Sequence, residues 1–364
     1  MERKEYPYVI SLDWLSVFCH CLNPIWFQAT GPDCNYDIRI LPYNSRQFSK
    51  IYEIYDRSGQ PFAVVSTTPF SAMLNPKSAM IKLENRVLYA ANCVNRLMDF
   101  MKAYSFQYRN ISRIDVCHDS NFLASGFRHK SLIDGFLKNK CEKVGQCNYT
   151  LQGSDGKQHE YSYIRFGSRS SGVCAYIYDK TKELREVKNK PYIINEWERQ
   201  GINPDIPVWR MEISIKTDST NMLNLETGQY FRLSPDMVLM QEQIEKLFQI
   251  YSNKYFSFVR NKGQKKKQNM DKMDLFHWNC IATTKVKTVT IEKDSGRMQK
   301  IMINMLDSIN RDNETFNEEV KSAAITVKKA YIDSYGMHKF YLGLKEKQKA
   351  KEWYKNAKEC KDID

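Results

Sequence analysis

The sequence predicts an α+β fold: an antiparallel sheet built early in the chain, with a helical C-terminal part. Three observations carry this. Runs rich in Val, Ile, Tyr and Phe recur between Tyr8 and Lys216, with turn residues between them. Several of these runs alternate apolar and polar side chains, the period of a strand with one buried face. Beyond about residue 235 the alternation gives way to helical spacing and then to charged, helix-like segments. The 364 residues, 42% of them hydrophobic, are enough to bury a sizeable core.

The elements follow in order. Tyr8–Cys19, YVISLDWLSVFC, is a largely buried strand with one carboxylate, Asp13, inside it. Residues 36–66 hold several strands, broken at Asn44-Ser45 and Ser58-Gly59, and Ala79–Glu84 is another. Val87, Leu88, Cys93, Val94, Leu97 and Met101 recur at helical spacing and predict a helix over Val87–Tyr104. Ser112–Asp119 alternates as a strand, and a Gly/Gln-rich loop near 145–158 leads to Tyr161–Phe166. A turn over Gly167–Gly172 and a strand over Val173–Lys180 complete a hairpin. A connector carrying Pro191, Pro204 and Pro207 precedes the last clear strand, Val208–Lys216. Arg260–Gln268 is a basic loop, and Lys345–Lys361 is Lys-rich.

Composition narrows the function. Net charge is +13 and the pI about 9.1, which favours a polyanionic partner, nucleic acid first and an anionic membrane surface second. Residues 241–364 hold 25 Lys+Arg against 17 Asp+Glu, so the excess leans C-terminal. No run of 18 apolar residues exists, so no membrane span is expected. Asp13 interrupts the short N-terminal apolar run, which argues against a signal peptide. Ten cysteines without a CxxC pair suit reduced thiols and a cytoplasmic location. Cys19-His20-Cys21 has metal-ligand residue types, but nothing nearby completes a four-ligand set. There is no GxxxxGK[ST] phosphate loop and no His-x-His pair, so neither ATP hydrolysis by that route nor a His-paired metal is expected.

Alternation also places side chains on faces. Asp115, Cys117 and Asp119 share one face of their strand, Arg210, Glu212 and Ser214 one face of theirs, and Tyr176, Tyr178 and Lys180 one face of a third. Were the three faces to coincide, carboxylates, tyrosines and cations would meet on one sheet surface. Carboxylates disfavour strand centres, and a divalent metal is one partner that would hold them there. A solvated sheet face is the plainer alternative.

Five ordered motifs then point to a family. They are SLDWLSV with Asp13, IKLEN with Glu84, RIDVCHD with Arg113, Asp115 and Asp119, GSRSSGVCAYIYDKTKE with Arg169, Ser171 and Tyr178, and WRMEISIK with Arg210 and Glu212. Over roughly residues 8–280 the chain resembles the Rep-trans replication initiation factors of rolling-circle plasmids and the related relaxases of integrative conjugative elements. The resemblance implies a nucleophilic tyrosine at Tyr178 beside Lys180, and a metal-binding set of Glu84, Asp115 and Glu212. Asp13 and Asp119 are further candidates for that set. Tyr176 stands where family members often carry Arg, and is a second candidate nucleophile. Arg169, Ser171, Arg113 and Arg210 are candidates for holding DNA.

The implied activity is that of an Mg²⁺- or Mn²⁺-dependent nicking–closing enzyme acting on origin DNA that is single-stranded or in a hairpin. It leaves a 5′-phosphotyrosine link and a 3′-OH that primes rolling-circle replication. The resemblance further implies a homodimer and a host helicase partner. The chain is expected to divide into a nicking domain over 1–220, a helical basic DNA-contacting extension over 221–290, and a Lys-rich helical tail over 291–364, which the resemblance does not cover. A conjugative relaxase would share the chemistry; the early start of the catalytic strands favours replication. A non-enzymatic DNA-binding protein on the same fold is a rival that the intact set of Glu84, Asp115, Tyr178 and Glu212 argues against, and an RNA- or membrane-surface-binding protein is one that leaves the strand carboxylates unexplained.

Overall fold

The computed structural model describes residues 6–23, 35–71, 74–90, 92–145, 148–154, 160–186, 189–217, 220–261, 271–278, 286–288, 303, 318–345 and 348. In chain order the strands are β1 (Tyr8–Cys21), β2 (Tyr36–Ile40), β3 (Phe48–Asp56), β4 (Pro61–Pro69), β5 (Ser78–Leu83), β6 (Phe106–Ser120), β7 (Cys141–Lys143), β8 (Tyr149–Ser154), β9 (Glu160–Phe166), β10 (Val173–Asp179), β11 (Trp209–Lys216), β12 (Asn221–Asn224), β13 (Tyr230–Arg232), β14 (Phe258–Arg260) and β15 (Val286–Thr288). The helices are α1 (Asn85–Leu88), α2 (Cys93–Ala103), α3 (His129–Leu137), α4 (Lys180–Glu186), α5 (Pro191–Arg199), α6 (Gln241–Tyr255) and α7 (Glu318–Tyr335).

Ten strands form one antiparallel sheet in the order β2-β3-β4-β5-β1-β6-β11-β10-β9-β8. The two longest strands, β1 and β6, lie at its centre, as strands covered on both faces must. Ile114, Val116 and His118 of β6 point to the rear face, where the ring of His118 lies 5.8 Å from that of Phe248 in α6. Leu97, Phe100 and Met101 of α2 join Phe62 and Val65 of β4 in the same core. Each such apolar side chain, taken fully from water, contributes about 1.5–3 kcal/mol. The front face carries a smaller cluster in which Ile193 and Trp197 of α5 pack on Val9, Leu184 and Val208.

The core side of β1 runs Ile10, Leu12, then Leu15, Val17, Cys19. The jump of three marks a bulge: the register with β6 shifts between Leu12 and Trp14. Asp13 is the extra residue, and the bulge re-aims its side chain.

Several expectations are corrected. The helix over Val87–Tyr104 is two helices, α1 and α2. The loop near 145–158 contributes the edge strand β8. The extension over 221–290 is neither purely helical nor separate: it holds β12 to β15, and Leu247, Phe248, Tyr251 and Leu275 lie in the main core. The reason is that the rear of the central strands is apolar and needs a cover, which α6 supplies. The Lys262–Lys267 loop and most of the tail after 291 lie outside the described residues. Among the described residues no helix is long and apolar enough to cross a membrane. The six cysteines described, Cys19 and Cys21 among them, are unpaired and buried.

Two buried histidines make the fold acid-sensitive. Burial pushes His118 down to about 4, and burial, with His118 nearby, pushes His129 down to about 3. Both sit near 6.5 in an unfolded chain, which therefore takes up protons that the native state refuses. Their contribution is full above that value and is lost as pH falls toward 4 and 3. Urea unfolding should show lower stability at pH 5 than at pH 7.5. His118→Leu should remove about half of the histidine-dependent part of that difference.

Candidate active site

The register brings the three expected faces together. Tyr178 of β10 pairs with Arg210 of β11, which pairs with Asp119 of β6; Tyr176 pairs with Glu212, and Ser214 with Asp115. All these side chains stand on the front face. Above them lies an open groove of about 440 Å³, lined among others by Tyr176, Tyr178, Glu212, Arg113 and Arg169.

At its floor Tyr178 Oη donates a 2.7 Å hydrogen bond to Glu212 Oε2. Burial and the nearby charges of Asp115 and Asp13 push the Glu212 carboxyl up to about 8. Burial, then the Glu212 charge, pushes the Tyr178 phenol well above its ordinary range. The phenol therefore keeps its proton until an acceptor takes it, and the acceptor in contact is Glu212. Tyr176 faces the same groove, and its phenol is also raised, by burial first. The hydrogen bond to Glu212 is made by Tyr178.

Asp115 is buried and held in a two-pronged contact by Arg113, whose Nε donates to Oδ1 at 2.9 Å and Nη2 to Oδ2 at 2.5 Å. Burial raises the Asp115 carboxyl even so. Arg113 also lies 4.3 Å from the centre of the Trp14 ring, as does Lys82 Nζ. Glu84 follows β5 in extended backbone at the start of α1, its amide donating to Phe62 O at 2.9 Å. Among the described residues no three His, Cys, Asp or Glu side chains are grouped to hold a metal ion. The expected set of Glu84, Asp115 and Glu212 is thus not assembled as a trio. Asp115 does stand close enough to Glu212 for its charge to raise the Glu212 carboxyl. Glu212 lines the groove, while Asp115 lies buried behind it with both oxygens held by Arg113. A divalent cation takes one or two carboxylates and fills its shell with water and phosphate oxygens, so Glu212 is the carboxylate placed to meet one.

Arg210 is placed differently from expectation. It is fully buried, its Nε and Nη2 each donating at 2.7 Å to Asp119, its Nη1 to Asp13 at 2.5 Å, and its Nη2 also to Tyr89 Oη at 2.9 Å. Trp197 Nε1 donates to Asp119 Oδ2 at 2.8 Å. Burial alone would raise Asp13, but Arg210, with Lys180 and Lys190, holds it below the usual carboxylate range. Asn85 Nδ2 also donates to the Asp13 main chain at 2.8 Å. Arg210 and Asp119 are fully buried and Asp13 partly so, and this ion cluster leaves DNA phosphate no access to the Arg210 guanidinium. Sequence alternation assigned the face correctly but could not show depth. Tyr89 and Trp197 were missed because they reach the cluster from segments distant in the chain with no motif to mark them, and Asn85, the last residue of IKLEN, was passed over for the carboxylate before it.

Lys180 also departs from expectation. It is the first residue of α4, 1% exposed, and its Nζ donates to Glu183 Oε2 at 2.6 Å. The ammonium lies over the Tyr178 ring, 5.5 Å from its centre. Its position is one of packing under the nucleophile candidate, not on an open strand face. The turn before β10 depends on Gly167, whose φ of +91° suits a residue without Cβ; a Cβ there would meet Val173 O at 3.4 Å. That turn leaves Arg169 exposed at the groove rim and closes with Ser171 N donating to Ser168 O.

No family model matches the sequence, and no curated protein matches it. Among solved structures the chain is similar to the rolling circle replication initiator protein from Geobacillus stearothermophilus, with 13% identity and a TM-score of 0.42, over 73% of this chain and 92% of that one. At that distance any function assigned to this chain stands on the side chains described above.

Proposed function

We propose that this chain nicks and rejoins one strand of origin DNA through Tyr178, initiating rolling-circle replication. The carrying observation is the hydrogen bond from Tyr178 to Glu212 at the floor of a groove rimmed by Arg169. The five ordered motifs of the sequence support the same assignment.

As Tyr178 Oη bonds to phosphorus, its proton passes to Glu212 in its ionised form, which gains population as pH rises toward 8. The bond from phosphorus to O3′ breaks, its electron pair stays on O3′, and O3′ takes a proton from water. One phosphate ester replaces another, so reversal rejoins the strand without ATP. Arg169 and Arg113 lie where they would hold the phosphates on either side. Glu212 would hold Mg²⁺ or Mn²⁺ from the groove, joined by Asp115 if Arg113 turns from it to a phosphate. When bound, such an ion polarises the reacting phosphate and offsets its growing charge.

The test is relaxation of supercoiled DNA carrying the element's own origin, with Mg²⁺, with Mn²⁺ and with EDTA, followed by mass spectrometry of the DNA-linked peptide. Nicking with either metal, its loss in EDTA, and a phosphonucleotide on the peptide containing Tyr178 are expected. Binding without nicking under every condition would turn the assignment to a non-enzymatic DNA-binding protein.

A further inference from the structure

Beside the groove is a second recess of about 280 Å³ that the chemistry at Tyr178 does not use. Ser162, Asp179 and Lys182 line both cavities, so the two are neighbours that meet at the residue following Tyr178. Phe122, Tyr161 and Trp209 supply aromatic walls to the recess, and Arg128, Lys130 and Lys182 supply cations. Arg128 is exposed and lies 5.9 Å from the centre of the Phe122 ring.

The wall opposite is pinned in place. Asn121 Nδ2 donates to Asn203 O at 2.9 Å and Pro207 O at 3.3 Å, and Asn121 Oδ1 accepts from Asn203 N at 3.0 Å. Pro207 itself lines the recess. A preformed wall spares the ordering cost of binding. Asp179 is the acidic group of the lining, and its Oδ1 is engaged by the Lys182 amide at 2.9 Å. Aromatic faces beside lysine and arginine, in a recess that shares a wall with the groove at Tyr178, match single-stranded nucleic acid: bases stack and phosphates meet the cations.

We infer that this recess binds a nucleotide of the DNA strand flanking the phosphate attacked by Tyr178. The inference rests on the proposed function for its register, but not for its test. The probe is oligo(dT) of about twenty nucleotides with one 5-iododeoxyuridine, bound to the full chain carrying Tyr178→Phe, so that no cleavage intervenes. Ultraviolet crosslinking and mass spectrometry should place the adduct on Phe122 or Tyr161, since Trp209 is buried against His129. In the same background Arg128→Glu with Lys130→Glu should weaken binding about tenfold or more and flatten the salt dependence, with a slope lower by about 0.7 for each phosphate no longer neutralised. Lys329→Glu, on the exposed face of α7, is the charge control and should change neither. Melting curves confirm that the variants fold.

Crosslinks confined to other residues, together with unchanged affinity in the double charge variant, would overturn the inference even if wild type nicks DNA. Crosslinks in the recess with no nicking by wild type would uphold the recess and overturn the nicking mechanism.

Discussion

Tyr178→Phe is expected to abolish nicking and the covalent DNA adduct, by on the order of 10³-fold or more, while Tyr176→Phe keeps both. The asymmetry comes from the hydrogen bond to Glu212, which Tyr178 makes. Removal of the hydroxyl leaves the ring in place, so the fold should survive; losing one partly buried hydrogen bond costs about 1 kcal/mol. Glu212→Gln should retain DNA binding and lower the nicking rate by about 10²- to 10⁴-fold, the usual worth of a positioned proton acceptor. A gel-based nicking assay on the four proteins decides the matter. Nicking at the wild-type rate by Tyr178→Phe would sink the assignment of the nucleophile, and loss confined to Tyr176→Phe would move it by two residues.

Arg210→Met is expected to destabilise the fold by about 3–5 kcal/mol. The guanidinium is fully buried and answers two carboxylates, Asp119 and Asp13. Removal strands at least Asp119 in the interior without its counter-charge, and such a charge costs more than the pair it came from. The loss is a large fraction of a typical domain's total stability of about 5–15 kcal/mol. Combining Arg210→Met with Asp119→Asn should recover part of it, because the amide oxygen still accepts from Trp197 Nε1 while the charge is gone. Urea unfolding of the two single variants and the double variant closes the cycle. A single variant within about 1 kcal/mol of wild type would show that the cluster contributes little. Because Arg210 pairs with Tyr178 across β10 and β11, the same variant tests whether the cluster also sets the nucleophile's position.

The sheet was legible because its strands obey a simple period. Ser112–Asp119 and Val208–Lys216 alternate cleanly, so the faces of Asp115 and Glu212 followed from spacing. The motif order around Tyr178 was equally plain in the sequence. Alternation breaks at Asp13, where spacing gave no face, and where a strand ran into a helix, as at Lys180, spacing misjudged where the side chain lies.

From the sequence alone come the α+β class, the strand carrying Tyr178, and the shared faces of Asp115 with Asp119, of Arg210 with Glu212, and of Tyr176 with Tyr178. These depend on local periodicity, which neighbouring residues impose through backbone geometry. Only the tertiary structure decided depth and partnership. Arg113 and Arg210 stand on neighbouring strands of one face, yet Arg113 lines an open groove and Arg210 is sealed beneath Tyr89 and Trp197. Asp13, Asp119 and Arg210 come from strands about 90 to 200 residues apart in the chain, and Trp197 reaches them from α5. Which carboxylate neutralises an arginine and which receives the tyrosine's proton depends on strand order and helix placement, and neither is encoded in the spacing within a single strand.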